Sequence, residues 1–122
     1  GLHSMNGFFC RVAASFNKSV MTEELIELYL APWSTENGKR AFFRNIRRLN
    51  KEYTLAIADE LGHLPHQTLI MWGDQDPFQK PDYAPKLARA IPNAELVWIK
   101  NAGHWLIDEK PAEIGDHINQ FL

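Results

Sequence analysis

The chain has 122 residues, 45% hydrophobic and 11% aromatic content, and a formal net charge of −2. That is one domain's worth of polypeptide, enough to bury roughly two-thirds of the surface its unfolded chain would expose. Four Trp, seven Phe and three Tyr exclude a disordered chain, and no apolar run approaches the ~18 residues of a membrane span. The single Cys10 excludes an intramolecular disulfide and thiolate zinc sites. No basic segment followed by an apolar stretch stands near Gly1, so no signal peptide is expected, and the composition points to a cytoplasmic globular protein.

Charge is unevenly spread. Lys39, Arg40, Arg44, Arg47, Arg48 and Lys51 crowd into one short stretch, whereas from Asp59 onward ten acids face five bases. The chain is therefore divided into residues 1–58 and 59–122.

The first part reads as helical. Thr22 suits an N-cap, Glu23 and Glu24 suit the positive end of a helix, and Leu25, Ile26, Leu28 and Tyr29 follow before Pro32 stops it. The stretch from Ser34 to Gly38 reads as a turn. A second helix then places Phe42, Ile46, Leu49 and Tyr53 on one stripe, expected to be buried, with the basic residues on a neighbouring face. That basic face, with Phe42 and Phe43 beside it, could contact phosphates and bases, but in a net acidic chain it reads as solvated or salt-bridged, and no nucleic-acid partner is expected.

The second part alternates strand and helix. The apolar run Thr68–Trp72 is ended by Gly73, and the run Ala94–Ile99 by Asn101-Ala102-Gly103. Neither alternates strictly, which suits strands of a parallel sheet covered on both faces. Asp82 or Pro85 opens a helix carrying Leu87, Ala88 and Ile91 between them. Pro111 can occupy the first position of a last helix whose Ile114, Ile118, Phe121 and Leu122 recur at helical spacing. The fold class is α/β: a helical N-terminal part followed by a βαβα unit with parallel strands.

In such sheets, chemistry gathers beyond the carboxyl ends of the strands. The loops leaving those ends read Trp72-Gly73-Asp74-Gln75-Asp76-Pro77-Phe78 and Asn101-Ala102-Gly103-His104-Trp105. A carboxylate on one and an imidazole on the other are the parts of an acid–base relay, in which the carboxylate fixes the tautomer and Nε2 shuttles protons. The same residues also fit a plainer role, with Asp76 capping the turn before Pro77 and His104 a partly buried polar residue. His63 and His66 have a spacing found in metal sites, but Pro65 between them forbids a continuing helix and no third ligand stands nearby, so no metal is expected. Cys10 reads as a small buried hydrophobe.

Taken together, Trp72-Gly73, Asp76-Pro77-Phe78, Ile91-Pro92-Asn93-Ala94, Ala102-Gly103-His104-Trp105, Glu109-Lys110-Pro111 and Phe121-Leu122 resemble, in that order, the C-terminal half of the α/β-hydrolase fold family. The part before Asp59, with Tyr29, Pro32-Trp33, Gly38, Arg40 and Ala41, is similar to the helical cap of epoxide hydrolase-, dehalogenase- and esterase-like members. The resemblance implies Asp76 as triad acid and His104 as triad base, with Asp74 the competing carboxylate. It also implies Trp33 and Trp105 as pocket aromatics, though either fits a core equally, and no metal or organic cofactor. One departure is Gln67, where the family usually has Pro.

The family's nucleophile sits on a Gly-x-Ser-x-Gly elbow. No such elbow is present; Ser4 is the nearest match, but Leu2 and Asn6 replace both glycines and only three residues precede it. The expectation is thus a hydrolase segment acting on a small apolar ester-, epoxide- or halide-type substrate, completed by an N-terminal hydrolase half or by self-association. The alternative is a non-catalytic module for oligomerisation or interaction.

Overall fold

The computed structural model describes residues 15–122, so Ser4 and Cys10 lie outside the described residues. The first helix, α1, spans Glu23–Leu30 and is followed by a 3-10 turn, Ala31–Trp33. Helix α2 spans Glu36–Arg47, a single-turn α3 spans Glu52–Leu55, and a 3-10 segment spans Ala58–His63. Strand β1 (Thr68–Gly73), helix α4 (Tyr83–Ala90), strand β2 (Ala94–Ile99), the short α5 (Leu106–Glu109) and α6 (Pro111–Phe121) complete the order.

Local chemistry accounts for the helix ends. Leu25 N–H donates to Thr22 Oγ1 at 3.2 Å, closing the predicted cap of α1. Pro32 falls in the 3-10 turn that follows, and Pro111 opens α6, where its missing N–H costs nothing. The segment read as a turn from Ser34 to Gly38 instead starts α2 at Glu36. Thr35 is its N-cap, accepting from Gly38 N–H at 3.0 Å, and capping chemistry outweighs the loop-like composition. A Cβ on Gly38 would fall under 3.0 Å from the Pro32 carbonyl oxygen, so glycine here lets α2 pack on the preceding turn.

The stripe predicted to be buried along α2 is not. Phe42 is half-buried, its ring 5.5 Å from that of Trp33, but Ile46, Leu49 and Tyr53 are 50%, 77% and 74% exposed. The helix stops at Arg47, which places Leu49 in the connection and Tyr53 on α3. Periodicity identifies an apolar face; it carries no information on what covers it. On α1, Ile26 and Leu30 are buried while Leu28 faces out.

The two strands pair in parallel, Thr68 opposite Ala94 through Gly73 opposite Ile99, with α4 as the crossover. Helices α4 and α6 pack against this sheet. It is half-buried, not covered on both faces as its sequence suggested: Ile70, Gly73 and Ile99 are buried, while Trp98 is 36% exposed. Two small cores result among the described residues. Met21, Ile26 and Leu30 form one, with Leu25 and Trp105 against it; Ile99, Ala102 and Ile114 form the other, with Met71, Val97 and Leu106. Trp105 therefore joins the helical part to the sheet part. No helix among the described residues is long and apolar enough to cross a membrane.

Candidate active site

The ends of β1 and β2 lie side by side, so the loops that leave them are laced together. Asp74 N–H donates to the Ile99 carbonyl (3.1 Å) and Gln75 N–H to the Ala102 carbonyl (3.0 Å). In return, Asn101 N–H donates to Asp74 Oδ1 at 2.8 Å, and Lys100 Nζ stands 3.5 Å from Asp74 Oδ2. Asn101 itself adopts φ 54°, a left-handed conformation that asparagine tolerates better than most residues. These contacts bring the second loop across the first.

Asp76 and His104 meet at that crossing. His104 Nδ1 lies 2.9 Å from Asp76 Oδ2. The other carboxylate oxygen, Oδ1, accepts the backbone N–H groups of Phe78 (2.8 Å) and Gln79 (2.9 Å), which fixes the plane of the carboxylate. Asp76 thus caps the turn, as the plainer reading held, and also engages the imidazole; the two roles use different oxygens. The Asp76 side chain is 5% exposed and that of His104 37%. The geometry separates the two carboxylates of this loop. Asp74 is occupied by Asn101 and Lys100, and Asp76 is the one in contact with the ring.

A carboxylate can only accept, so a pair of this kind places the proton on Nδ1 and leaves Nε2 free to take one. Phe78 and Trp105 flank the imidazole edge-on, with ring centroids 5.5 and 6.0 Å away. Beside it opens a cavity of about 280 Å³ lined by Tyr29, His104, Trp105, Leu106, Ile107 and Asp108. Trp105 lines this cavity and packs on the first core at once. Trp33, the other aromatic singled out for a pocket, is not among the lining residues and packs on Phe42. Tyr29 stands there instead, its ring 5.0 Å from Trp105 and its hydroxyl donating to Asp108 Oδ2 at 2.8 Å. In the sequence Tyr29 stands out only as a residue of the first helix and of the cap resemblance, with nothing to place it at the pocket. Among the described residues no three His, Cys, Asp or Glu side chains cluster as a metal site, and His63 and His66 belong to none.

Comparison with known proteins gives this arrangement its context. A family model described as the alpha/beta hydrolase fold matches residues 15–111. The chain is 29% identical over 106 residues to the uncharacterized hydrolase YugF of Bacillus subtilis, covering 87% of this chain and 38% of that protein. It is 26% identical over 93 residues to a 2-hydroxy-6-oxononadienedioate/2-hydroxy-6-oxononatrienedioate hydrolase of Comamonas testosteroni, covering 74% of this chain and 32% of that protein. An alpha/beta hydrolase fold protein from Burkholderia ambifaria superposes with a TM-score of 0.85 at 23% identity, over 95% of this chain and 42% of that one. The chain thus spans less than half the length of these proteins and holds part of their fold. On the family match, the parallel βαβα unit and its laced strand ends, the chain belongs to the α/β hydrolase fold family.

Proposed function

We propose that Asp76 and His104 are the acid and base of a hydrolase triad whose nucleophile comes from polypeptide beyond these 122 residues, in the same chain or a partner. The observation that carries this reading is the 2.9 Å contact between His104 Nδ1 and a buried Asp76 carboxylate whose second oxygen is held by two backbone donors. Asp76 keeps the imidazole in one tautomer and one orientation. His104 Nε2 then takes the proton of the attacking hydroxyl or water and returns it to the leaving group. With a Ser nucleophile the bond cleaved is an ester or similar acyl link; with an Asp nucleophile it is an epoxide or carbon–halogen bond.

The cavity beside His104 is bounded mainly by aromatic and aliphatic side chains, which suits a small, largely apolar substrate. The Comamonas relative, named as a hydrolase of 2-hydroxy-6-oxononadienedioate and 2-hydroxy-6-oxononatrienedioate, supports hydrolysis of a small molecule. A second reading, a non-catalytic interaction module, draws on the exposure of Ile46, Leu49 and Tyr53.

Turnover of an activated phenyl ester by the protein as its own gene produces it, with any natural partner, separates the two. The triad reading expects His104→Ala and Asp76→Asn each to lower kcat by roughly 10⁴-fold. Turnover that is absent in the unaltered protein, or equal in the His104 variant, favours the interaction module.

A further inference from the structure

Two acids are buried among the described residues, Asp76 and Glu109, and the proposed triad uses only the first. Glu109 is 8% exposed and accepts three backbone N–H groups, one from the nearby β2 loop and two from the far end of the chain. Its Oε1 accepts Gly103 N–H at 3.1 Å and Phe16 N–H at 3.2 Å, and its Oε2 accepts Asn17 N–H at 2.9 Å. Gly103 is the peptide neighbour of His104.

The loop leaving β2 is anchored at three successive residues. Asn101 N–H is held by Asp74 and the Ala102 carbonyl by Gln75 N–H, both from the loop that carries Asp76. The third anchor, Gly103 N–H to Glu109, reaches outside that pair of loops to α5 and to the segment at 16–17. Charge-assisted bonds of this kind are strong and directional, so the carboxylate sets the plane of the peptide from which His104 departs.

We propose that Glu109 is a positioning residue for His104, and that by sharing one carboxylate between Gly103 and residues 16–17 it couples the orientation of the imidazole to docking of the segment that leads into α1. When that segment is seated, Glu109 is fixed and holds the 103–104 peptide in the orientation that points the ring at Asp76. When it lifts, the carboxylate loses two of its three donors and the hold on Gly103 loosens. This inference rests on the reading of His104 as the general base.

The test begins with amide hydrogen exchange on the unaltered protein, labelled with ¹⁵N. If one carboxylate holds all three, the Phe16, Asn17 and Gly103 amides open together and their protection agrees within about threefold. Glu109→Gln offers one acceptor oxygen and an NH₂ in place of two acceptors, so at least one N–H loses its partner. The amide oxygen at the Oε2 position strips Gly103 and Phe16 of their acceptor and at the Oε1 position strips Asn17. Because the three amides open as one unit, Gly103 is expected to exchange at least about tenfold faster in either case, and the far-downfield proton resonance of His104 Nδ1–H to shift or broaden. In the catalytically complete protein kcat is expected to fall about tenfold to a hundredfold, with KM within about twofold. Ile91→Val, a buried change remote from both loops, serves as the control for simple destabilisation.

Markedly unequal protection of the three amides in the unaltered protein overturns the proposal, and that measurement needs no variant to fold. So does a Glu109→Gln protein that melts earlier, as Ile91→Val does, while its His104 resonance and kcat stay unchanged. Failure of the triad reading shows itself differently: His104→Ala would keep its turnover while the three amides still exchange as one unit.

Discussion

The backbone of Gly73 passes so close to Ala102 that a Cβ on Gly73 would fall under 3.0 Å from the Ala102 carbonyl oxygen, and equally from that of Gly103. This contact sets the spacing between the two strand-end loops. Gly73 has no positive φ, so the requirement is for room and not for a special conformation. Gly73→Ala is therefore expected to push the loops apart. Overpacking of this kind costs about 1–3 kcal/mol, read as a lower urea midpoint, and the downfield His104 Nδ1–H resonance should weaken with it. A variant with the wild-type midpoint would show that the loops can separate freely.

The two carboxylates of the β1 loop should respond in opposite ways to loss of charge. Asp74 binds a backbone N–H and a mostly exposed Lys100, so Asp74→Ala exchanges an exposed hydrogen bond to Asn101 for one to water and costs about 0.5–1.5 kcal/mol of stability. Its effect on turnover per folded molecule should stay within a few-fold. Asp76→Asn keeps the side chain's size and one oxygen for the turn, yet no longer holds the imidazole as a carboxylate does. Its loss should fall on kcat. Denaturant titration of both variants beside their ester kinetics separates stability from chemistry, and a reversed pattern would assign the triad acid to Asp74.

Much of this site is local in sequence, which is why it could be read there. Each strand is an apolar run ended by a glycine-containing loop, and Asp76 and His104 stand a few residues beyond each end, so parallel pairing brings the two loops to one edge, where the bonds between them complete the approach. Glu109 is different. Two of its partners lie 92 and 93 residues away, and no local pattern marks a carboxylate that caps distant backbone. Tyr29 was hidden for a similar reason, since its contact with Trp105 and Asp108 depends on how α1 docks. The α2 stripe failed in the opposite sense: the helix ends at Arg47 before Leu49 and Tyr53 are reached, and burial depends on what faces a helix.

Glycines in the helices offer a stability test with opposite signs. Gly115 lies inside α6 and a Cβ there would meet nothing within 4 Å. Gly115→Ala should therefore stabilise the protein by about 0.5–1 kcal/mol through helix propensity alone. Gly38→Ala, in α2, gains the same propensity but drives a methyl onto the Pro32 carbonyl, so it should destabilise or swing α2 away from the Ala31–Trp33 turn. Thermal melts of the two single variants decide it, and a stabilising Gly38→Ala would refute the close packing of α2 on that turn.

Trp105 has two duties, and two substitutions should divide them. Its ring packs on the Met21, Ile26 and Leu30 cluster and borders the cavity beside His104, while its buried Nε1–H has no hydrogen-bond partner among the described residues. Removing the ring in Trp105→Ala should cost about 2–3 kcal/mol, less than a full core truncation because the ring is only partly buried. Trp105→Phe keeps an aromatic face toward Tyr29 and eliminates the unpaired donor, whose burial carries a penalty of about 1–3 kcal/mol. That gain offsets much of the lost packing, so the Phe variant should stay within about 1 kcal/mol of the parent in urea unfolding. If the cavity is the substrate pocket, KM for a bulky apolar ester changes in Trp105→Phe while kcat is largely kept, because the ring borders His104 without holding it. A variant with unchanged KM across esters of different size would place the substrate elsewhere.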